Sequence, residues 1–435
     1  VSTFDMTFFP RERGPYNFSN LANGSNNLPN PQENFGGIMR SITSTNFEQS
    51  NVEYIQFWIL DPYTDADIPS TNSGKLFINL GEISEDILRD GKKQYENGLP
   101  ESGSNQNTLP SDWGRIPSSQ SLIYAFDTNT ANRVLQDVGL DGVGDKEEKL
   151  LPAAAAFSGL SDPAADNYEF YLSIEGDIIT RYKNYNGLEN NSPVDVTDAN
   201  RGNTVLPDTE DINRDNTMNT INAYYQYQIN IHNNLQVGQD FVTDIRPVNR
   251  SVPGGNTINT RWIQFKIPVD TNLKENIGGI EDFNSIRFMR MFMTGFSDEI
   301  TLRFGALDLV RGEWRRYSNN LMPADLPVPN PDDTAFDVLS VNIQENGDRQ
   351  PIKYLTPPGV VREQLYNNNT IINQNEQSLS LRVGGNGLAP FDSRAVFKNV
   401  SVDMRQFKSL KMFLHAESMV PDQELTALKD GELSA

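Results

Sequence analysis

The chain has no cysteine and only two histidines in 435 residues. Without a thiol there is no disulfide framework, no thiolate metal site and no cysteine nucleophile. A histidine-based triad would have to use His232 or His415, and no G-x-S-x-G elbow accompanies either. Basic charge is scarce as well: 36 Lys and Arg stand against 58 Asp and Glu, a formal net charge of −22. A nucleic-acid backbone or an anionic lipid surface is repelled over most of such a molecule, so nucleic acid drops out as a partner class. The longest apolar run, LLPAAAAFSGL (150–160), contains Pro152 and is too short to span a bilayer as a helix; it reads as a buried loop or short helix. A Walker A loop is missing too, since Gly91-Lys92 lacks the upstream glycine. Neither a signal peptide nor an initiator Met stands before Val1, the pattern of a mature product or an internal piece.

What is present is β-chemistry. Aromatics are plentiful, and Asn, Asp, Gly and Pro are heavily used, which favours strands joined by long polar loops. STFDMTF (2–8) alternates with Phe4, Met6 and Phe8 on one face. IMRSITSTNFEQSNVEYIQFWILD (38–61) contains a short and a longer strand, and GKLFINLG (74–81) another. Then the pattern breaks, with a short helical stretch at SEDILRD (84–90), polar spacers, LIYAFD (122–127) and the apolar run. Strand signals return at YEFYLSI (168–174), YYQYQINI (224–231), RWIQFKIPV (261–269), SIRFMRMFM (285–293) and ITLRFGALDLV (300–310). Crossover helices for a parallel sheet are missing. The fold class is therefore all-β, a jelly-roll β-sandwich with long insertions. Its expected layout is a leading strand and linker at 1–35, the sandwich at 36–318 with insertions at about 84–165 and 176–220, and a Pro-rich linker at 319–335.

Residues 336–435 read as a connecting segment and the start of a second jelly-roll-like repeat. SLKMFLHAES (409–418) echoes EYIQFWILDP (53–62), and each is followed at similar spacing by a Gly-led strand, GELSA (431–435) or GKLFI (74–78). A half sandwich leaves an apolar face and a row of backbone donors and acceptors uncovered, so the reading is of a fragment of a larger protein.

The more specific chemical signals are two acidic loops. DVGLDGVGDKEE (137–148) sets Asp137, Asp141, Asp145 and Glu147, with Glu148 beside them, around glycines; hard oxygen ligands on a flexible turn suit Ca²⁺. DTEDINRDN (208–216) carries Asp211, Asn213 and Asp215 at the 1, 3, 5 spacing of an EF-hand loop, but has Asn216 where that loop needs Gly and Asn222 where it needs Glu. The competing reading of both is a solvated acidic turn held by Asx hydrogen bonds. A carboxylate pair for glycoside hydrolysis leaves no sequence signature, and none is nominated. Trp58, Trp262 and Trp314 lie on or beside strand patterns and are expected in the core; Trp113, in the insertion, is the one tryptophan placed as a sugar platform.

Several idiosyncratic stretches, in order along the chain, resemble the SprA (Sov) family of giant outer-membrane translocon proteins of the Bacteroidetes type IX secretion system. They include FFPRERGPYNF (8–18), GGIMRSITSTNFEQSNVEYIQFWILDPY (36–63), INLGEISEDIL (78–88), PDTEDINRDNT (207–217), RFGALDLVRGEWRRY (303–317), PPGVVREQ (357–364) and DSRAVFKNVSVDMRQFKSLKMFLHAES (392–418). The resemblance implies a fragment of a very large β-barrel through which folded cargo, including gliding-motility adhesins, reaches the cell surface. It implies a PorV-like partner, a plug protein and exported cargo proteins as partners, the rest of the same polypeptide to complete the barrel, and no catalytic residue. It places the chain at the outer membrane, in an extramembrane portion, the extracellular cap in preference to the periplasmic side. A second function class, a carbohydrate-binding or adhesin-like jelly roll, rests on fold analogy.

Overall fold

The computed structural model describes residues 2–22, 26–64, 68–88, 91–95, 108–118, 129–186, 210–251, 257–312, 314–317, 334–348, 353–362, 364–367, 370–385, 387–388, 392–398, 400 and 402–417. The chain divides into two compact units, Val1–Gly312 and Glu313–Ala435. The first holds β1 (Phe4–Phe8), β2 (Phe35–Ser41), β3 (Val52–Leu60), β4 (Gly74–Glu82), a small hairpin of β5 (Thr108–Pro110) and β6 (Arg115–Pro117), then β7 (Ala223–Ile231), β8 (Val242–Ser251), β9 (Thr257–Pro268), β10 (Glu275–Ile277), β11 (Phe288–Thr294) and β12 (Ile300–Arg311).

Two antiparallel five-stranded sheets form, ordered β1-β12-β3-β9-β8 and β10-β7-β4-β11-β2. Set aside the edge strands β8 and β10 and rank the remaining eight along the chain. The sheets then run first-eighth-third-sixth and fifth-fourth-seventh-second, which is the jelly-roll order. The expected fold class stands, and the described strands close no barrel.

Alternation builds the sandwich. In β3 the side chains of Ile55, Phe57 and Ile59 are buried and those between them face outward. Leu76, Ile78 and Leu80 of β4, Tyr225, Tyr227 and Ile229 of β7, Ile263, Phe265 and Ile267 of β9, and Leu302 and Phe304 of β12 complete one continuous core. Phe57 stacks on Phe265 at 5.2 Å. Polar locks hold the ends. Fully buried Asn72 accepts the backbone N–H groups of Ser297 and Asp298 and donates to the Asp298 carbonyl, joining the loop before β4 to the β11–β12 turn. Arg261 reaches Asp61 at 2.6 Å and also donates to the Leu235 and Asn233 carbonyls.

The same alternation corrects the placement of the tryptophans. Trp58 and Trp262 take the outward parity of β3 and β9 and are half-buried, with the Arg246 guanidinium over Trp58; Trp314 is half-buried as well. YEFYLSI is no sheet strand. It folds as turns with one isolated bridge, Glu169 to Asn186, because its rings pack on one another and on the short helix that follows. The two expected insertions thus run together between β4 and β7. The expected helix at SEDILRD is also absent over its described residues, 84–88: Glu85 is drawn into the protein by hydrogen bonds instead. LIYAFD lies outside the described residues. The edge strand β8 went unforeseen.

The second unit pairs β13 (Arg315–Tyr317) with β18 (Ala395–Phe397), β14 (Thr334–Asn342) with β17 (Gln377–Gly385), and β15 (Gln364–Asn367) with β16 (Thr370–Asn373). Residues 409–417, the echo of β3, form no strand, and Leu410, Met412, Phe413 and Leu414 are exposed. GELSA and almost all of the Pro-rich linker lie outside the described residues, so no second sandwich is built among those described. No described helix is long and apolar enough to cross a membrane, which leaves crossing by strands untouched.

Candidate metal-binding site in the insertion

The chemistry-bearing side chains gather in the insertion between β4 and β7. A single helical turn, α1 (Thr130–Arg133), leads into the loop at 134–144, and a second, α2 (Asp145–Glu148), closes it. The α2 turn starts at Gly144, whose carbonyl accepts the N–H groups of Glu147 and Glu148. Residues three apart on a helical turn share a face, so Asp145 and Glu148 point the same way while Glu147 is exposed.

Glu148 meets two other segments. Oxygens of Asp141, Glu148 and Asp166 lie within 4.8 Å of one another, all three residues buried; oxygens of Asp145, Glu148 and Asp162 form a second such group. Asp141 is only 1% exposed. Its Oδ1 accepts the Val143 N–H at 3.1 Å, and its Oδ2 is buried without a hydrogen-bond partner. Glu148 Oε2 accepts the Ala164 N–H at 2.9 Å. Asp162 accepts the N–H groups of Asp166 and Asn167, shaping the return turn, and the Asn167 amide donates to Asp145.

The N-terminal segment packs into this knot. The Tyr16 hydroxyl donates to Asp166 and accepts the Leu140 N–H at 2.6 Å, while the Tyr16 N–H bonds the Ala164 carbonyl. Arg13 donates to the Pro163 carbonyl and lies 4.1 Å over the Phe157 ring. From the β5–β6 hairpin, Arg115 donates through its backbone N–H to the Asp141 carbonyl and through Nε to that of Gly142. Gly139 is required where it stands: its φ is +56°, and a Cβ there would collide with the Asp166 carboxylate and the Tyr16 hydroxyl.

So many buried acids raise one another. Burial, then the neighbouring Glu148 charge, lifts Asp141 well above the ordinary aspartate range, with Arg115 opposing. Burial followed by Asp141 and Glu148 does the same to Asp166. Glu148 is pushed up to about 7, chiefly by burial. Asp137 is pushed up to about 6 for the same reason; it accepts the Tyr168 N–H and belongs to neither three-acid group. An all-oxygen cluster of this kind suits a hard cation.

Of the loop residues singled out in the sequence, Asp141, Asp145 and Glu148 join these groups, and Asp137 and Glu147 do not. Asp162, Asp166, Tyr16, Arg13 and Arg115 were not foreseen. The one local hint was SDPAADN (161–167), two aspartates four apart across Pro163. The second acidic loop closes on itself. Asp211 accepts the N–H groups of Asp215 and Asn216, Asp215 accepts those of Thr217 and the Asn213 amide, and Glu85 accepts from Ile212, Asn213 and Asn219. His232 sits 3.4 Å from Asp240, and His415 is exposed beside Glu417. Trp113 packs at a tilt against Phe18, ring centroids 5.4 Å apart. Farther along the insertion, α3 (Ile178–Lys183) carries Tyr182, 57% exposed, stacked on Tyr171 at 5.0 Å beside Phe170 and Tyr185.

Among known proteins, residues 147–435, about two thirds of the chain, match the family model SprA_N, described as motility related/secretion protein. The match begins within α2 and takes in Glu148, Asp162 and Asp166. No curated protein matches the chain.

Proposed function

Because the chain belongs to the SprA_N family of motility-related and secretion proteins, we propose that it is a non-catalytic, extramembrane part of the outer-membrane translocon of the type IX secretion system, in the cap on the extracellular side. The family match carries this reading. Two physical features support it. An acidic surface with net charge −22 gives passing cargo little to adhere to. The apolar residues Phe407, Leu410, Met412, Phe413 and Leu414 are exposed in a row, as expected of a segment that the rest of the translocon polypeptide covers. On this reading the PorV-like protein, the plug and the exported cargo are its partners, and the bacterium is of the Bacteroidetes.

Two measurements test it. Deleting residues 36–312 in frame from the intact protein leaves cargo inside the envelope; normal surface export in the deletion strain would sink the role. These 435 residues contain no cysteine, and labelling of Asn272→Cys, at an exposed turn, is read against the unsubstituted protein. A membrane-impermeant maleimide labels it in whole cells if the unit is extracellular, and only after permeabilisation if it is periplasmic.

One observation favours a second reading, a carbohydrate-binding module: the exposed rings of Tyr182 and Tyr185 beside Tyr171. Calorimetry against surface glycans decides it, with Tyr182→Ala abolishing any heat the parent gives.

A further inference from the structure

We propose that Asp141, Glu148 and Asp166 bind a calcium ion, which fastens the insertion to the N-terminal segment of the chain. Three carboxylates with oxygens inside 4.8 Å, all buried, repel one another strongly unless a positive charge sits among them. Arg115 acts on Asp141 from one side, with its Nε on the Gly142 carbonyl and its backbone N–H on the Asp141 carbonyl. The independent sign of a ligand is Asp141 Oδ2. Asp141 is 1% exposed and this oxygen has no donor, whereas Glu85, equally buried, accepts four hydrogen bonds. A carboxylate oxygen in that position is satisfied by a proton or by a cation.

The donor set selects which cation. Every ligand is a hard oxygen, and neither cysteine nor histidine is at hand, which disfavours zinc. Magnesium keeps several waters and demands octahedral geometry, which a triad this deeply buried and borne on an irregular glycine loop does not supply. Calcium accepts six to eight oxygens in loose geometry, including bidentate carboxylates and backbone carbonyls. Asp145 and Asp162 share Glu148 from the outer side and add negative potential without displacing it.

Each ligand comes from a different stretch: Asp141 from the glycine loop, Glu148 from α2, and Asp166 from the turn that Tyr16 holds. The ion therefore ties together three segments that share no sheet ladder. This inference is independent of the secretion reading.

The test titrates the purified chain with calcium chloride by calorimetry and follows its thermal unfolding in chelator and in calcium. Expected are one ion per chain, a dissociation constant of about 1 mM or tighter, a raised unfolding midpoint, and neither effect from magnesium at the same concentration. Asp141→Asn and Glu148→Gln, near-isosteric and folded by circular dichroism, lose the calcium response, and in chelator unfold no lower than the parent. Asp215→Asn, on the self-closed acidic turn, keeps the response. Absence of heat and of any midpoint shift at about 10 mM calcium overturns the proposal, as does equal binding of magnesium or parental binding by both cluster variants. Should a variant fail to fold, terbium decides on the parent: emission sensitised through Tyr16 and displaced by calcium supports the site, and no emission overturns it.

Discussion

Glu148 sits at the meeting point of both acidic groups, and its protonation links the cluster to pH. A carboxyl whose pKa rises on folding holds its proton more tightly in the folded chain than in the unfolded one. Glu148 rises to about 7 and Asp137 to about 6, both mainly through burial. Between the ordinary carboxylate range and neutrality the folded chain therefore carries more protons than the unfolded chain, and stability falls as pH rises through that window. In chelator, the unfolding midpoint is expected to drop from about pH 5 to about pH 7, followed by circular dichroism; a flat profile would show that these acids are not buried as described. Asp141→Asn removes one of the repelling charges and softens the drop. Glu85 makes the opposite case, a buried acid fully supplied with donors. Glu85→Ala strands the backbone N–H groups of Ile212, Asn213 and Asn219, at an expected cost of about 2–4 kcal/mol in denaturant unfolding.

At the level of elements, the sandwich depends on loop locks as much as on strands. Asn72→Ala removes one side chain that serves both the Ser297–Asp298 turn and the loop before β4, and is expected to cost about 2–3 kcal/mol. Arg261→Met leaves Asp61 largely buried without its cation and should cost about as much; urea midpoints unchanged by either substitution would show these locks to be ornamental. The eight sandwich strands were legible because period-two alternation needs only local sequence: Ile55, Phe57 and Ile59 declare an inner face by themselves. Trp58 declares its outward parity equally plainly, but tryptophan's bulk argues for the core and misleads. β8 was hidden because an edge strand buries little; it contains Pro247, and only Val242 is well buried. YEFYLSI fails in the other direction, since aromatic composition without a partner ladder makes a turn cluster as readily as a strand. The acidic site was half legible. Asp141, Asp145 and Glu148 crowd one stretch of sequence, whereas Asp162, Asp166 and Tyr16 arrive by long-range packing that no local pattern encodes.

For the whole molecule, the ladder pairings predict how stability is divided. Both five-stranded sheets draw only on β1 to β12, and every acid of the buried cluster lies before Gly312. Among the described residues, the strands after Gly312 pair among themselves. A chain ending at Gly312 therefore retains every sandwich hydrogen bond, the single core cluster and the calcium ligands. Expressed alone, it should unfold in one cooperative transition at the midpoint of the main transition of the longer chain, and show the same upward shift on adding calcium. The two-stranded pairings of the second unit bury too little to be stable by themselves. Amide exchange in the 435-residue chain should accordingly split, with slow protection in β3, β4, β7 and β9 and fast exchange in β14 and β17. Equal protection across Gly312 would mean that the second unit borrows its stability from the first, and the division at that residue would be wrong.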